Sequence, residues 1–128
     1  MKNKNFTILP IPKVDVSVTH IKIDKNSPLN QTEPHIHKKC EIYLNLSGDV
    51  SFEVENHIYP ISRGSVIVTR PLEYHYCIYH SEAEHEHYCI TFSAENQDDF
   101  LKLFFDREQG SDNLIILDET QLKDCLFV

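Results

Sequence analysis

The 128-residue sequence predicts a mainly β domain that ends in a short helical segment. Three observations carry this. Apolar and polar residues alternate over short runs, turn residues separate those runs at close intervals, and helical spacing replaces the alternation after Phe92.

In chain order, Phe6 to Pro12 is extended, but Pro10 and Pro12 each remove a backbone donor, which places the segment at an edge or as a lead-in arm. Val14, Val16, Val18 and His20 alternate with polar partners, and Ile21 and Ile23 continue in shifted phase, so a strand with a bulge near His20 is predicted. Asn26 to Pro34 has loop composition. Lys39 to Leu46 is the first central strand, and Gly48-Asp49 turns it into Val50 to Glu55, with Val50, Phe52 and Val54 inward. Ile58 to Ile61, Val66 to Thr69, His75 to Tyr79 and His87 to Phe92 follow, each bounded by a turn. Asn96 to Arg107 is then a helix with acids in its first turn, ended by Gly110. Asn113 to Leu117 is a short strand. Asp118 caps a helix from Glu119 to Val128 whose apolar face is Leu122, Cys125, Leu126 and Phe127. That face stops in mid-pattern, so the chain reads as part of something longer.

Twenty acids against twelve bases give a formal charge of −8, with the cations scattered. Phosphate backbones are bound by clustered cations, so the chain by itself is not a nucleic-acid binder. No run has the length needed to span a bilayer, and Met1 to Asn5 lacks a signal peptide's apolar stretch, which predicts a cytoplasmic protein with no membrane partner. The cysteines, Cys40, Cys77, Cys89 and Cys125, form no Cys-x-x-Cys pair and are expected to be reduced and structural.

The chemistry concentrates in the middle of the chain. Strand alternation puts His35, His37, Glu41 and Tyr43 on one face and Ile42, Leu44 and Leu46 on the other. His75 lies thirty-four residues after Glu41, at the end of a second apolar run. A sheet that folds the two runs together brings three imidazoles and one carboxylate to a point, a ligand set for a divalent metal or a polar small molecule. Zn²⁺, Ni²⁺, Mn²⁺ and Fe²⁺ all suit these donors. Without metal, the same groups bind an effector's hydroxyls or carboxylate directly, with Tyr43 as wall and hydrogen-bonding tip. His80, His85 and His87 stand in a run of acids beside a turn and are expected at a solvated strand entrance. Arg63 and Arg70 have a weaker claim on an anionic ligand.

The spacing His35-x-His37-x3-Glu41-x6-Gly48 resembles the first cupin motif, and Gly64-x10-His75 keeps the glycine-to-histidine distance of the second. Fifteen residues separate Gly48 from Gly64, as in a compact cupin. Leu29, Leu72 and Tyr79 replace the usual glycine, inner glycine and asparagine, and Pro71 sits one position later than in the enzyme-type motif. The phrase His37-x3-Glu41-Ile42-Tyr43, followed by Arg70-Pro71-x3-His75, is more similar to the sensor domains of AraC-type transcription regulators.

The resemblance implies a cupin-type double-stranded β-helix, a jelly-roll barrel, over about residues 6–93, with a helix, strand and helix over 94–128, the whole forming one domain. It further implies a small effector, such as a sugar, held inside the barrel by His35, His37, Glu41, Tyr43 and His75. It implies a homodimer, and DNA contact only through a helix-turn-helix module absent from this chain. The second class it leaves open is a small metal-dependent cupin enzyme, an oxygenase or isomerase, with Glu41 as ligand or base.

Overall fold

The computed structural model describes residues 16–23, 36–93 and 101–127. Among these residues eight strands fall in the order β1 (Val16–Ile23), β2 (Cys40–Ser47), β3 (Val50–Val54), β4 (His57–Ile61), β5 (Ser65–Thr69), β6 (His75–Tyr79), β7 (His85–Phe92) and β8 (Leu114–Ile116). Helix α1 (Lys102–Phe105) lies between β7 and β8, and α2 (Glu119–Leu126) follows β8.

The strands form two antiparallel sheets, ordered β1-β7-β2-β5-β8 and β4-β3-β6. From β2 to β7 the chain passes between them at the Gly48-Asp49, Ser62-Arg63-Gly64, Arg70 to Tyr74 and His80 to Glu84 corners. This is the jelly-roll arrangement, and it follows from the alternation: each strand has a face to bury, and a facing sheet buries it. Tyr43 and Ile67 of the larger sheet pack against Val50, Phe52, Val54, Ile61 and Cys77 of the smaller one. A second apolar cluster covers the other face of the larger sheet, where Val66, Val68 and Phe92 meet Leu101 and Phe104, with Ile42 and Leu44 against them. The Phe92 and Phe104 rings meet edge to face at 5.4 Å.

Several expectations need correction. Strand β1 runs in unbroken register against β7 with no bulge at His20. Its two apolar phases are its two faces, with Ile23 buried and Val16 and Val18 exposed. The irregularity lies in β2, where the register shifts between Asn45 and Ser47 and makes Leu46 the extra residue. β7 begins at His85, two residues earlier than predicted. The helix predicted over Asn96 to Arg107 is, among described residues, the four-residue α1. Asp118 does cap α2, in a reciprocal pair with Gln121, yet only Leu122 of its predicted apolar face is buried. The predicted arm from Phe6 to Pro12, Val14 of the predicted first strand, the loop from Asn26 to Pro34, His35 and the Asn96 to Phe100 part of the predicted helix lie outside the described residues.

Candidate functional site

The inner face of the larger sheet is set by register. Glu41 stands opposite Thr69 and Thr91, Tyr43 opposite Ile67 and Cys89, and Asn45 opposite His87. From the smaller sheet His75, Cys77 and Tyr79 pair with Val54, Phe52 and Val50. Directly opposed residues share a side of the sheet, so a polar row runs through the barrel beside an apolar one.

At one end of this row His37, Glu41 and His75 converge, their ligand atoms all within 4.8 Å of one another. His75 Nε2 is 3.0 Å from Glu41 Oε2, and His37 Nε2 is 3.5 Å from Glu41 Oε1. The two imidazoles meet edge to face at 5.0 Å. Three of the four residues expected at the point are therefore together, whereas nothing is described of His35. Tyr43 is buried in the core beneath them and donates its hydroxyl hydrogen to Asn45 Oδ1 at 3.0 Å.

Burial pushes the Glu41 carboxyl up, but hydrogen bonds from His37 and His75 and the charge of His75 outweigh it and hold the group far below the usual carboxylate range. Burial alone would lower His75. Its bond to Glu41, that carboxylate's charge and the Glu73 carbonyl raise it instead. Each group thus favours the charged form of the other, and a cation bound between them would take the place of the His75 Nε2 proton. Cys89 hydrogen-bonds to Glu41, and burial followed by that carboxylate's charge drives its thiol well above the ordinary value.

The donor set fits a divalent cation. His75 Nδ1 lies 2.7 Å from the Glu73 carbonyl oxygen, to which it donates, and this orients Nε2 toward the point of convergence. His37 differs. Its Nδ1 accepts from the Lys39 N–H at 3.2 Å, so the neutral ring carries its hydrogen on Nε2, facing Glu41. Ligation through that nitrogen requires the ring to exchange one tautomer for the other.

The other end of the row corrects the expectation of a solvated entrance. His85 and His87 are buried, the former stacked on Tyr79 at 4.3 Å and the latter tilted against Tyr43 at 4.6 Å. His85 Nε2, His87 Nδ1 and Thr69 Oγ1 are buried with no hydrogen-bond partner among the described residues. Burial lowers His85, and burial followed by repulsion from His85 lowers His87 to about 4, so both rings are neutral at pH 7. His80 is exposed and meets Ser51 at 2.7 Å. The missed signal was phase: acids at Glu84 and Glu86 alternate with His85, His87 and Cys89, as a strand with acids outside and imidazoles inside requires.

Arg63 and Arg70 bind the protein itself. Arg63 pairs with Glu119 at 2.9 Å on the surface, and Arg70 Nη1 donates to the Arg107 carbonyl oxygen at 3.1 Å.

Comparison with solved structures shows the same fold in AerE from Microcystis aeruginosa, with TM-score 0.60 and 15% identity over 81% of this chain and 44% of that one. A Cupin 2 conserved barrel domain protein from Salinispora arenicola follows, with TM-score 0.51 and 15% identity over 69% of this chain and 72% of that one. A conserved protein of unknown function from Streptococcus pyogenes has TM-score 0.51 and 19% identity over 64% of this chain and 68% of that one. The fold is that of the cupin barrels. Residues 18–127 match the AraC-like ligand binding domain, and the chain belongs to that family. The curated proteins contain no significant match. No helix among the described residues is long and apolar enough to cross a membrane.

Proposed function

We propose that this domain is the effector-sensing and dimerisation part of an AraC-type transcription regulator, taking a small polar molecule such as a sugar into the barrel. The observation that carries this reading is the set of buried polar atoms without a hydrogen-bond partner among the described residues, Thr69 Oγ1, His85 Nε2 and His87 Nδ1. Buried polar groups are almost always satisfied, so this interior is suited to a guest that supplies the missing bonds. A neutral imidazole offers an acceptor to a hydroxyl, and Tyr43 and Tyr79 offer ring faces beside it. Family membership supports the same reading. Contact with DNA would come from a separate module, and localisation would be cytoplasmic. The test is thermal shift and sedimentation across a panel of sugars and small organic acids. Stabilisation by one class, lost in His87→Phe, supports the reading; no stabilisation and no dimer across the panel would sink it.

The His37, Glu41 and His75 cluster favours a second reading, a metal-dependent cupin enzyme of oxygenase or isomerase type. In it the three residues would hold Zn²⁺, Ni²⁺, Mn²⁺ or Fe²⁺, and the metal would supply an electrophilic open position. Near-stoichiometric metal in protein purified without a histidine tag, lost in His37→Ala, supports it. Metal-free protein that also fails to take up added cation removes it.

A further inference from the structure

We propose that Glu73 is a positioning residue that couples the His37, Glu41 and His75 cluster to residues 107–110 of the C-terminal segment. The inference takes its functional meaning from the site reading above, but its geometry stands independently.

Glu73 is completely buried, and its carboxylate is held from both sides. Arg107 grips it with two prongs, Nη1 to Oε2 and Nη2 to Oε1, both at 2.6 Å. The Gly110 N–H donates to Oε2 at 2.6 Å, and the Arg70 N–H to Oε1 at 3.1 Å. Two of these three partners belong to the C-terminal segment. A two-pronged guanidinium fixes direction as well as distance, so the placement of Glu73 follows the placement of residues 107–110.

The same corner holds the His75 imidazole and the His37 backbone. The carbonyl of Glu73 accepts from His75 Nδ1 at 2.7 Å, and the preceding N–H, that of Leu72, donates to the His37 carbonyl oxygen at 2.8 Å. Leu72 has φ +66°, a left-handed conformation that a branched side chain adopts only under constraint from its surroundings. Gln109 adds a bond from Nε2 to the Leu72 carbonyl oxygen at 3.2 Å. A shift of the C-terminal segment therefore moves the carbonyl that orients His75, and a shift of His75 pulls on the carboxylate that anchors Gly110. Such a contiguous hydrogen-bonded chain is a physical basis for coupling between a binding site and the segment leading to α2.

The test needs no ligand. In ¹⁵N-labelled protein, the ring-nitrogen signals of His75 are compared between wild type, Glu73→Gln, Arg107→Lys and Gln109→Ala. Coupling predicts a His75 shift in all three, smallest in Gln109→Ala, with the His87 signals unmoved as the internal control. In the reverse direction, His75→Asn is expected to speed hydrogen exchange of the Gly110 amide at least tenfold while Val50 and Ile61 exchange as before. Gln109 is exposed, so Gln109→Ala loosens the corner without stranding a buried charge and keeps the test open if Glu73→Gln does not fold. Unchanged His75 signals in the folded variants, or uniform acceleration of exchange throughout the barrel in His75→Asn, would overturn the proposal. A parallel Ni²⁺ titration of wild type separates the two readings: silence there removes the metal site and leaves the coupling to be decided by the ring signals.

Discussion

His75 Nε2 and Glu41 Oε2 form a 3.0 Å ion pair in which the imidazole is completely buried. Two desolvated charges stabilise a fold little in themselves, but removing one leaves the other stranded. Glu41→Gln is therefore expected to cost about 3 kcal/mol in urea unfolding, with the value for His75 falling once the Glu41 charge no longer opposes burial. The raised His75 contributes stability that is complete below the ordinary imidazole value and is lost as pH rises through its folded value. The depressed Glu41 contributes above the ordinary carboxylate range and loses that contribution as pH falls. Glu41→Gln should flatten the alkaline limb of the stability profile; an unchanged limb would show that the pair is not coupled.

His87 acts with the opposite sign. The unfolded chain takes up a proton at the ordinary imidazole value of 6.5, whereas the folded chain resists until about 4. Stability therefore falls as pH drops across that window, by up to about 3 kcal/mol from His87 alone. His85 adds to the loss, while His75 opposes it. The groups acting on His87 are His85 on its own strand, Glu41 and Tyr43 of β2, and His20 of β1. In His87→Gln the acid slope between pH 6.5 and 4 should shrink, read as the urea midpoint at each pH.

Most of the strand order was legible from alternation and turn residues, because a strand between two turns shows its buried face in every second residue. The His37, Glu41 and His75 cluster was legible as well, since motif spacing puts His37 at the entrance to β2, Glu41 on β2 and His75 at the start of β6 in the facing sheet. The Glu73–Arg107 pair was not. Its members are 34 positions apart, and each reads as an ordinary charged residue beside a turn until the C-terminal segment folds back on the Arg70 to Tyr74 corner. The faces of β1 were mistaken for a change of phase because both are apolar, and periodicity cannot separate a bulge from a strand that is apolar on both sides.

Gly48 ties the first motif to the far end of the polar row. It has φ +123°, and a Cβ there would run into the His85 side chain and stand 3.2 Å from His85 Cα. Neither can yield, since His85 is paired in β7 and stacked on Tyr79. Gly48→Ala is expected to destabilise by roughly 3 kcal/mol through left-handed strain and overpacking together. Thermal unfolding checks the magnitude. A near-neutral result would mean that β2 and β3 can rejoin by another turn.

The C-terminal helix separates one buried contact from an apolar surface. Leu122 is 1% exposed, whereas Phe127 is 85% exposed. Truncating a fully buried leucine removes its transfer energy and leaves a cavity, so Leu122→Ala should cost about 3 kcal/mol. Phe127→Ser, which disturbs little packing within the chain, should stay within about 0.5 kcal/mol in dilute monomer. Asp118→Ala falls between them at about 1 kcal/mol, because it removes the acceptor for the Gln121 N–H at the start of α2. Chemical denaturation of the three variants at one low protein concentration gives the order directly. If Phe127→Ser proved as costly as Leu122→Ala, α2 would have to pack by a face other than the one centred on Leu122.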